Sequence, residues 1–254
     1  IKSFAKKIFE KFDLCIVSSV ESENFLKILG ARKIRNYGNL KFSQTKKSND
    51  KNLDSLVLNK IKDRRIWCAA STHPKEEIIC GETHLKIKKI YKNVLTIIIP
   101  RHIERAEKIS RELSNLELEV SFYSKIKDMN AKTDILIIDT YGDSLKFYNI
   151  SDYVFVGKSL NDDLITNSGQ NPIEPARLGC KIFHGPNIKN FTEIYNYLEN
   201  LNVTKKIKNS EELSVSMVEE FKKNKGKDVE IGVKIRDHGE NIFNSVIMEL
   251  KKYI

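Results

Sequence analysis

The chain has 254 residues, 40% of them hydrophobic, and a formal charge of +10 at pH 7, enough apolar material for one large or two modest globular domains. Its longest apolar runs, such as "VLTIII" at 94–99, fall far short of the roughly 20 residues that a membrane-crossing helix requires. The lysines are interleaved with Glu and Asp along the whole length, without an arginine-rich stripe or a nucleic-acid module, so no nucleic-acid partner is expected. Attraction to an anionic membrane surface, about 1 kcal/mol per well-placed basic group, is another use for the surplus.

The first residue is Ile1, and "IKSFAKKIFEKFD" is too charged for a secretory leader, so the sequence reads as a piece of a longer protein. Cys15, Cys68, Cys80 and Cys180 lack a C-x-x-C spacing, which fits reduced packing thiols better than zinc or disulfides. The five histidines, 73, 84, 102, 184 and 238, show no ligand spacing either, and no metal is expected.

In chain order, apolar runs bounded by turn residues predict strands at 14–19, 33–38, 66–71, 94–99, 118–123, 134–139, 153–157 and 181–185. Helical stretches alternate with them, the pattern of a parallel sheet wrapped by helices. Over 75–91, Ile79, Thr83, Ile87 and Ile90 share a face, leaving Lys75, Glu76, Lys86 and Lys89 for solvent. The stretch "SQTKKSNDKNLD" (43–54) reads as a linker or exposed loop, "KKNKGKDVEIG" (222–232) as a loop, and 239–252 as a final helix.

The segment "NSGQNPIEPARLG" (167–179) concentrates special residues ahead of a helix. Asn171 suits an N-cap, Pro172 the first turn, and Glu174 can reach back to the cap. Gly169 permits a tight approach that a side chain would block. Two readings stand: a capped helix and nothing more, or a helix tip offering N–H groups to a phosphate at the carboxyl edge of the sheet.

Seven strings carry a family resemblance, in order: "GNLKF" (38–42), "AASTHPKEE" (69–77), "IIIPRH" (97–102), "DTYGDSLKFY" (139–148), "DYVFVGKSL" (152–160), "GQNPIEP" (169–175) and "GPNIKNF" (185–191). The chain resembles the 3-deoxy-D-manno-octulosonic acid (Kdo) transferase family, glycosyltransferases that move Kdo from CMP-Kdo onto a lipid A precursor. The resemblance implies an α/β fold, a Rossmann-like parallel sheet with helices on both faces that forms the C-terminal domain of a GT-B glycosyltransferase. Residues 1–42 are then the last elements of an acceptor domain, 43–54 a linker, 55–237 the CMP-Kdo-binding domain and 238–254 a C-terminal helix. The departures are lysines at 75 and 158 where the family usually has glycine, Ser168 for another glycine, a longer stretch at 161–168, and Asp143 where Glu is more usual.

The implied donor-binding residues are Ser71, Thr72, His73, Arg101, Gly142, Ser159, Gly169, Gln170, Asn171 and Glu174. Arg101 is expected at the CMP phosphate, with a plain strand-end arginine as the alternative. Asn171 and the N–H groups after it would also hold the phosphate, and Glu174 the ribose hydroxyls. Ser71, Thr72 and His73 would meet the sugar carboxylate, although a Ser-Thr pair before a helix is also an ordinary N-cap. Gly142 would border the cytosine.

The implied reaction is inverting and needs neither cofactor nor metal. Its general base is expected in a missing N-terminal domain; Asp13 and Glu21 have nothing to recommend them, and the fragment alone is expected to be inactive. The expected setting is the cytoplasmic face of the bacterial inner membrane, with any firm anchor upstream. The rivals are another GT-B nucleotide-sugar enzyme, a UDP-sugar transferase or epimerase, and a non-catalytic protein of anionic membrane surfaces.

Overall fold

The computed structural model describes residues 2–43, 52–160 and 168–253. The chain divides into two compact units, Ile1–Lys47 with Val233–Ile254, and Ser48–Gly232. The expected loops at 43–54 and 161–168 fall largely outside the described residues.

The smaller unit contains α1 (Lys2–Phe9), β1 (Cys15–Val17), α2 (Val20–Ile28) and β2 (Ile34–Asn36), with β1 and β2 paired in parallel. It also takes most of a long helix, α10 (Val229–Leu250). The Phe42 ring meets the edge of His238 in α10, and a Cβ at Gly239 would lie 2.0 Å from the Phe42 carbonyl oxygen. Backbone approach at that spacing tolerates only glycine. Glu249, 2% exposed, lies within 4 Å of Lys33, Arg35 and Lys252. Hydrogen bonding from Lys252, Lys33 and Tyr37 brings its carboxyl to about 2 against the effect of burial.

The last helix is longer than the sequence suggested. The last helix starts at Val229, not 239, and the loop before it shrinks because α9 (Ser210–Lys223) already covers the first lysines of the 222–232 stretch. No apolar period marks that start, since Glu230, Lys234 and Arg236 surround Ile231, Val233 and Ile235.

The larger unit is built on a seven-stranded sheet of order β5-β6-β4-β3-β7-β8-β9, in which every pairing is parallel. Its strands are β3 (Arg65–Thr72), β4 (Val94–Pro100), β5 (Val120–Phe122), β6 (Ile135–Ile137), β7 (Tyr153–Val156), β8 (Lys181–His184) and β9 (Thr204–Lys206). Helices α3 (Ser55–Ile61), α4 (Glu76–Lys88), α5 (Ala106–Ser114), α6 (Ser144–Ile150), α7 (Ile173–Arg177), α8 (Thr192–Asn200) and α9 fill the connections. A parallel sheet needs such crossovers, and burial on both faces explains why its strands read as unbroken apolar runs. All seven residues of β4 are buried. Trp67, Ile98, Ile137, Phe155 and Phe183 join residues of α4, α5 and α9 in one core cluster. Among the described residues no helix is long and apolar enough to cross a membrane.

The α4 face differs from its sequence reading. Glu76, expected in solvent, is fully buried, and Ile90, expected in the core, lies beyond the helix end and is 58% exposed. At the amino ends of the strands, fully buried His84 bridges Thr96 Oγ1 at 2.9 Å and Asp134 Oδ1 at 3.1 Å. Asp134 also accepts from Lys88 Nζ at 2.5 Å and the Glu119 N–H at 3.2 Å.

Burial alone would raise the Asp134 carboxyl, but these hydrogen bonds outweigh it and bring the pKa to about 2, from 3.8. The stabilisation is therefore present above 3.8 and lost as pH falls toward 2. Burial lowers His84 below its ordinary 6.5 despite Asp134, so the unfolded chain binds that proton first and acid destabilises here too. Urea unfolding should show stability falling steadily below neutrality. Asp134→Asn should cost roughly 2 kcal/mol near pH 7 and flatten the acid limb.

Candidate functional site at the carboxyl edge of the sheet

From β3 the chain moves outward on one side through β4 and later crosses to β7 on the other. The gap between the carboxyl ends of β3 and β7 is thus the switch point at which open α/β sheets collect ligands. Most of the residues named from the sequence lie on loops along this edge.

The β3 end is irregular. Its register with β4 slips between Ala70 and Thr72, and Ser71 adopts φ +55°, a left-handed conformation that costs a non-glycine residue roughly 1 kcal/mol. The turn directs the Ser71 carbonyl to His73 Nδ1 at 3.0 Å. A carbonyl only accepts, so Nδ1 carries the proton and Nε2 keeps its lone pair. Burial lowers the His73 pKa, against the Ser71 carbonyl and with help from the positive charges of Lys158, His102 and Arg105. The ring stands 6.0 Å from that of His102. Thr72 is buried, its hydroxyl without a hydrogen-bond partner. The N-cap alternative for Ser71 and Thr72 does not hold, because both end β3 and α4 begins after Lys75 with no side-chain cap.

Behind this turn lies Glu76. Its Oε2 accepts the N–H groups of His73 at 2.9 Å and Lys158 at 2.7 Å, and its Oε1 those of Ser159 at 2.9 Å and Leu160 at 3.0 Å. Burial pushes the Glu76 pKa up while these four donors pull it down, and burial is the larger effect. Glu77, equally buried, holds Arg105 by a fork of 2.8 and 3.2 Å contacts. Two lysines flank the arrangement in left-handed backbone, Lys75 at φ +78° and Lys158 at φ +57°. These are the positions at which the family resemblance calls for glycine.

Arg101 follows β4, its N–H donated to the Thr72 carbonyl at 3.1 Å and its side chain exposed. Gly142, at φ +88°, has open space around it beside exposed Tyr141. Gly169, at φ +87°, packs against the Ile188 backbone, where a Cβ would come within 3.0 Å. The Gln170 carbonyl accepts from Tyr195 Oη at 3.2 Å, and Glu174 is half-buried in the first turn of α7.

Two assignments change. Ser159 is fully buried and its polar atoms serve the loop: Oγ donates to Val156 O and accepts from the Gly185 N–H, while its own N–H goes to Glu76. The tip of α7 is also poorer in donors than the sequence suggested. Pro172 and Pro175 carry no N–H, and that of Ile173 is taken by Asn171 Oδ1 at 3.0 Å. With Oδ1 fixed in this way, Asn171 can still offer its Nδ2 amide.

A cavity of ≈ 240 Å³ lined by Tyr153, Cys180, Lys181 and Glu220 lies at the opposite, amino edge of the sheet. It contains none of the named residues, and the convergence of polar groups favours the carboxyl edge as the site. Among the described residues no three His, Cys, Asp or Glu gather as a metal site.

No family model matches the chain. Over 164 residues it is 33% identical to the 3-deoxy-D-manno-octulosonic acid transferase of Haemophilus influenzae, covering 63% of this chain and 37% of that protein. The transferase of the same name from Aquifex aeolicus is 24% identical over 98% of this chain and 64% of its own length. That from Rickettsia prowazekii is 26% identical over the whole chain and 52% of its length. Over these spans the chain is similar to Kdo transferases. It spans between 37% and 64% of the length of these three relatives.

The fold agrees. The C-terminal CMP-Kdo binding domain of WaaA from Acinetobacter baumannii superposes with TM-score 0.60 at 21% identity, over 74% of this chain and 98% of that domain. A UDP-N-acetylglucosamine 2-epimerase homologue from Listeria monocytogenes gives 0.54 at 14%, over 95% and 59%. The larger unit is therefore a Rossmann-like unit of GT-B type.

Gly157 shows how tightly the site is built. A Cβ there would come within 2.7 Å of Glu76 Oε2, Ser71 O and Thr72 Cα, two of them backbone atoms that cannot yield. Gly157→Ala should destabilise by roughly 2 kcal/mol, lowering Tm by about 5 °C in a domain of this size. Lys158→Gly relieves a left-handed side chain and should leave Tm unchanged or raise it by the equivalent of up to about 1 kcal/mol. Calorimetric melting checks both signs.

Proposed function

We propose that the chain supplies the donor-binding part of an enzyme that transfers Kdo from CMP-Kdo to a lipid A precursor. The observation that carries this reading is that the six strings shared with the family within the larger unit lie at the carboxyl edge of its sheet, about the switch point. Support comes from the curated relatives, which bear the name of that transferase.

In this reading, departure of CMP builds charge on a single phosphate, and fixed donors there lower the barrier. Arg101 becomes the principal donor because the α7 tip has so few; its exposed guanidinium offers a planar fork to phosphate oxygens. Asn171 adds its Nδ2 amide. Glu174 accepts from the ribose hydroxyls, and Gly142 leaves room for the base. His73 takes a different part from the one its position suggested: a neutral ring with a lone pair on Nε2 suits a sugar hydroxyl, not a carboxylate.

The acceptor, the inverting course of the reaction, the absence of a cofactor or metal requirement and a setting at the cytoplasmic face of the inner membrane belong to the same proposal. The net charge of +10 supports the last of these. No described residue is assigned as general base. A second reading, a UDP-sugar transferase or epimerase, is favoured by the fold match to the Listeria protein.

Titration calorimetry separates the two. CMP should bind and UDP should compete at least about tenfold less well, with Arg101→Ala weakening CMP by about tenfold, the worth of one charge-assisted hydrogen bond. UDP binding more tightly than CMP supports the second reading, and unchanged CMP affinity in Arg101→Ala removes that residue from the site.

A further inference from the structure

The three successive N–H groups of Lys158, Ser159 and Leu160 converge on one carboxylate, with Lys158 in left-handed backbone. Successive amides arranged in this way form an anion-binding concavity, the kind that elsewhere cradles a phosphate. Here it is filled from within by Glu76, which also holds the His73 N–H from the opposite loop. We infer that Glu76 is a positioning residue of the donor site: an internal anion that occupies this nest, locks the β3 and β7 loops together across the switch point, and directs a ligand's anionic group to other donors.

Two observations give the carboxylate this part beyond ordinary packing. Both oxygens are shared out completely, two N–H donors on each, and one oxygen takes its donors from both loops. Gly157, the residue that follows β7, has no room for a Cβ chiefly because Glu76 Oε2 and the Ser71–Thr72 backbone stand against it. His73 inherits its place from the same contact, since its N–H is held by Glu76 while its ring is held by Ser71. An amide at position 76 has only one acceptor oxygen and would turn an NH2 toward two N–H donors. Glu76→Gln is therefore nearly the same shape with half the clamp.

The inference rests on the donor-binding reading only for the identity of the ligand, so one arm of the test is free of ligand. Hydrogen exchange of the unmodified chain should show the amides of His73, Lys158, Ser159 and Leu160 slower than other loop amides along the same edge. In Glu76→Gln these four should accelerate by about tenfold or more, while the amides of β3 and β7 keep their protection. In the second arm, Glu76→Gln should weaken CMP about tenfold or more, and formate, a carboxylate small enough for the emptied nest, should restore affinity in Glu76→Ala. If Glu76→Ala does not fold, the exchange arm and Glu76→Gln decide.

Fast exchange of the four amides in the unmodified chain overturns the inference. So does wild-type CMP affinity in Glu76→Gln, or acceleration spread evenly through β3 and β7, which would make Glu76 a general stabiliser. If the unmodified chain does not bind CMP while the four amides respond as expected, the donor reading fails and the clamp stands.

Discussion

The crevice depends on one buried carboxylate meeting four backbone N–H groups. Removing an ionised carboxyl from water costs several kcal/mol unless its lone pairs find partners, and Glu76 finds one for each. Once that arrangement is fixed, much of its neighbourhood is determined. Position 157 has no space for a side chain, the β7 loop must turn immediately, and the turn after β3 must bring the His73 amide back toward the helix. The side chains that remain exposed along the edge, Arg101 above all, are displayed on a frame whose loop amides at 73 and 158–160 are already satisfied.

The frame carries strain. Ser71 and Lys75, close to Glu76 in the chain, and Lys158, bonded to it from the β7 loop, all hold left-handed backbone, each at a cost of roughly 1 kcal/mol. Such conformations persist where surrounding contacts over-determine them, and they gather at functional sites. Two of the three are lysines, where the family resemblance calls for glycine, and they hold the left-handed shape without it. The chain keeps the shape with a less suitable residue because the hydrogen bonds to Glu76 and the pairing of Gly157 N–H with Ala70 O at 2.8 Å hold it.

Much of this architecture was legible in the sequence. Strands β3, β4, β6, β7 and β8 announce themselves as apolar runs, because a parallel sheet covered on both faces needs no alternation. Strand β9 does not, since an edge strand of three residues bearing Lys205 and Lys206 looks like a loop, which is also how edges avoid unwanted pairing. The site was visible as motifs but not as geometry. Glu76 at the start of an amphipathic helix reads as solvated by period alone, and only the turn at Lys75 and the return of the β7 loop make it internal. Ser159 lies in a matching string yet faces inward, a distinction that residue identity does not carry. The α7 tip could have been read more closely: the two prolines were in plain view, and each removes a donor.

The placement of β3 in the middle of the sheet also has a kinetic meaning. Its pairing with β4 joins neighbours along the chain, but its pairing with β7, Cys68 against Val154, must wait for the whole intervening β4–β6 lobe to be laid down. Long-range parallel contacts of this kind bring the entropy of closing a large loop before any contact repays it. The seam where the crevice lies thus closes the longest loop of any pairing in the sheet, and until it forms, one flank of β3 has no partner.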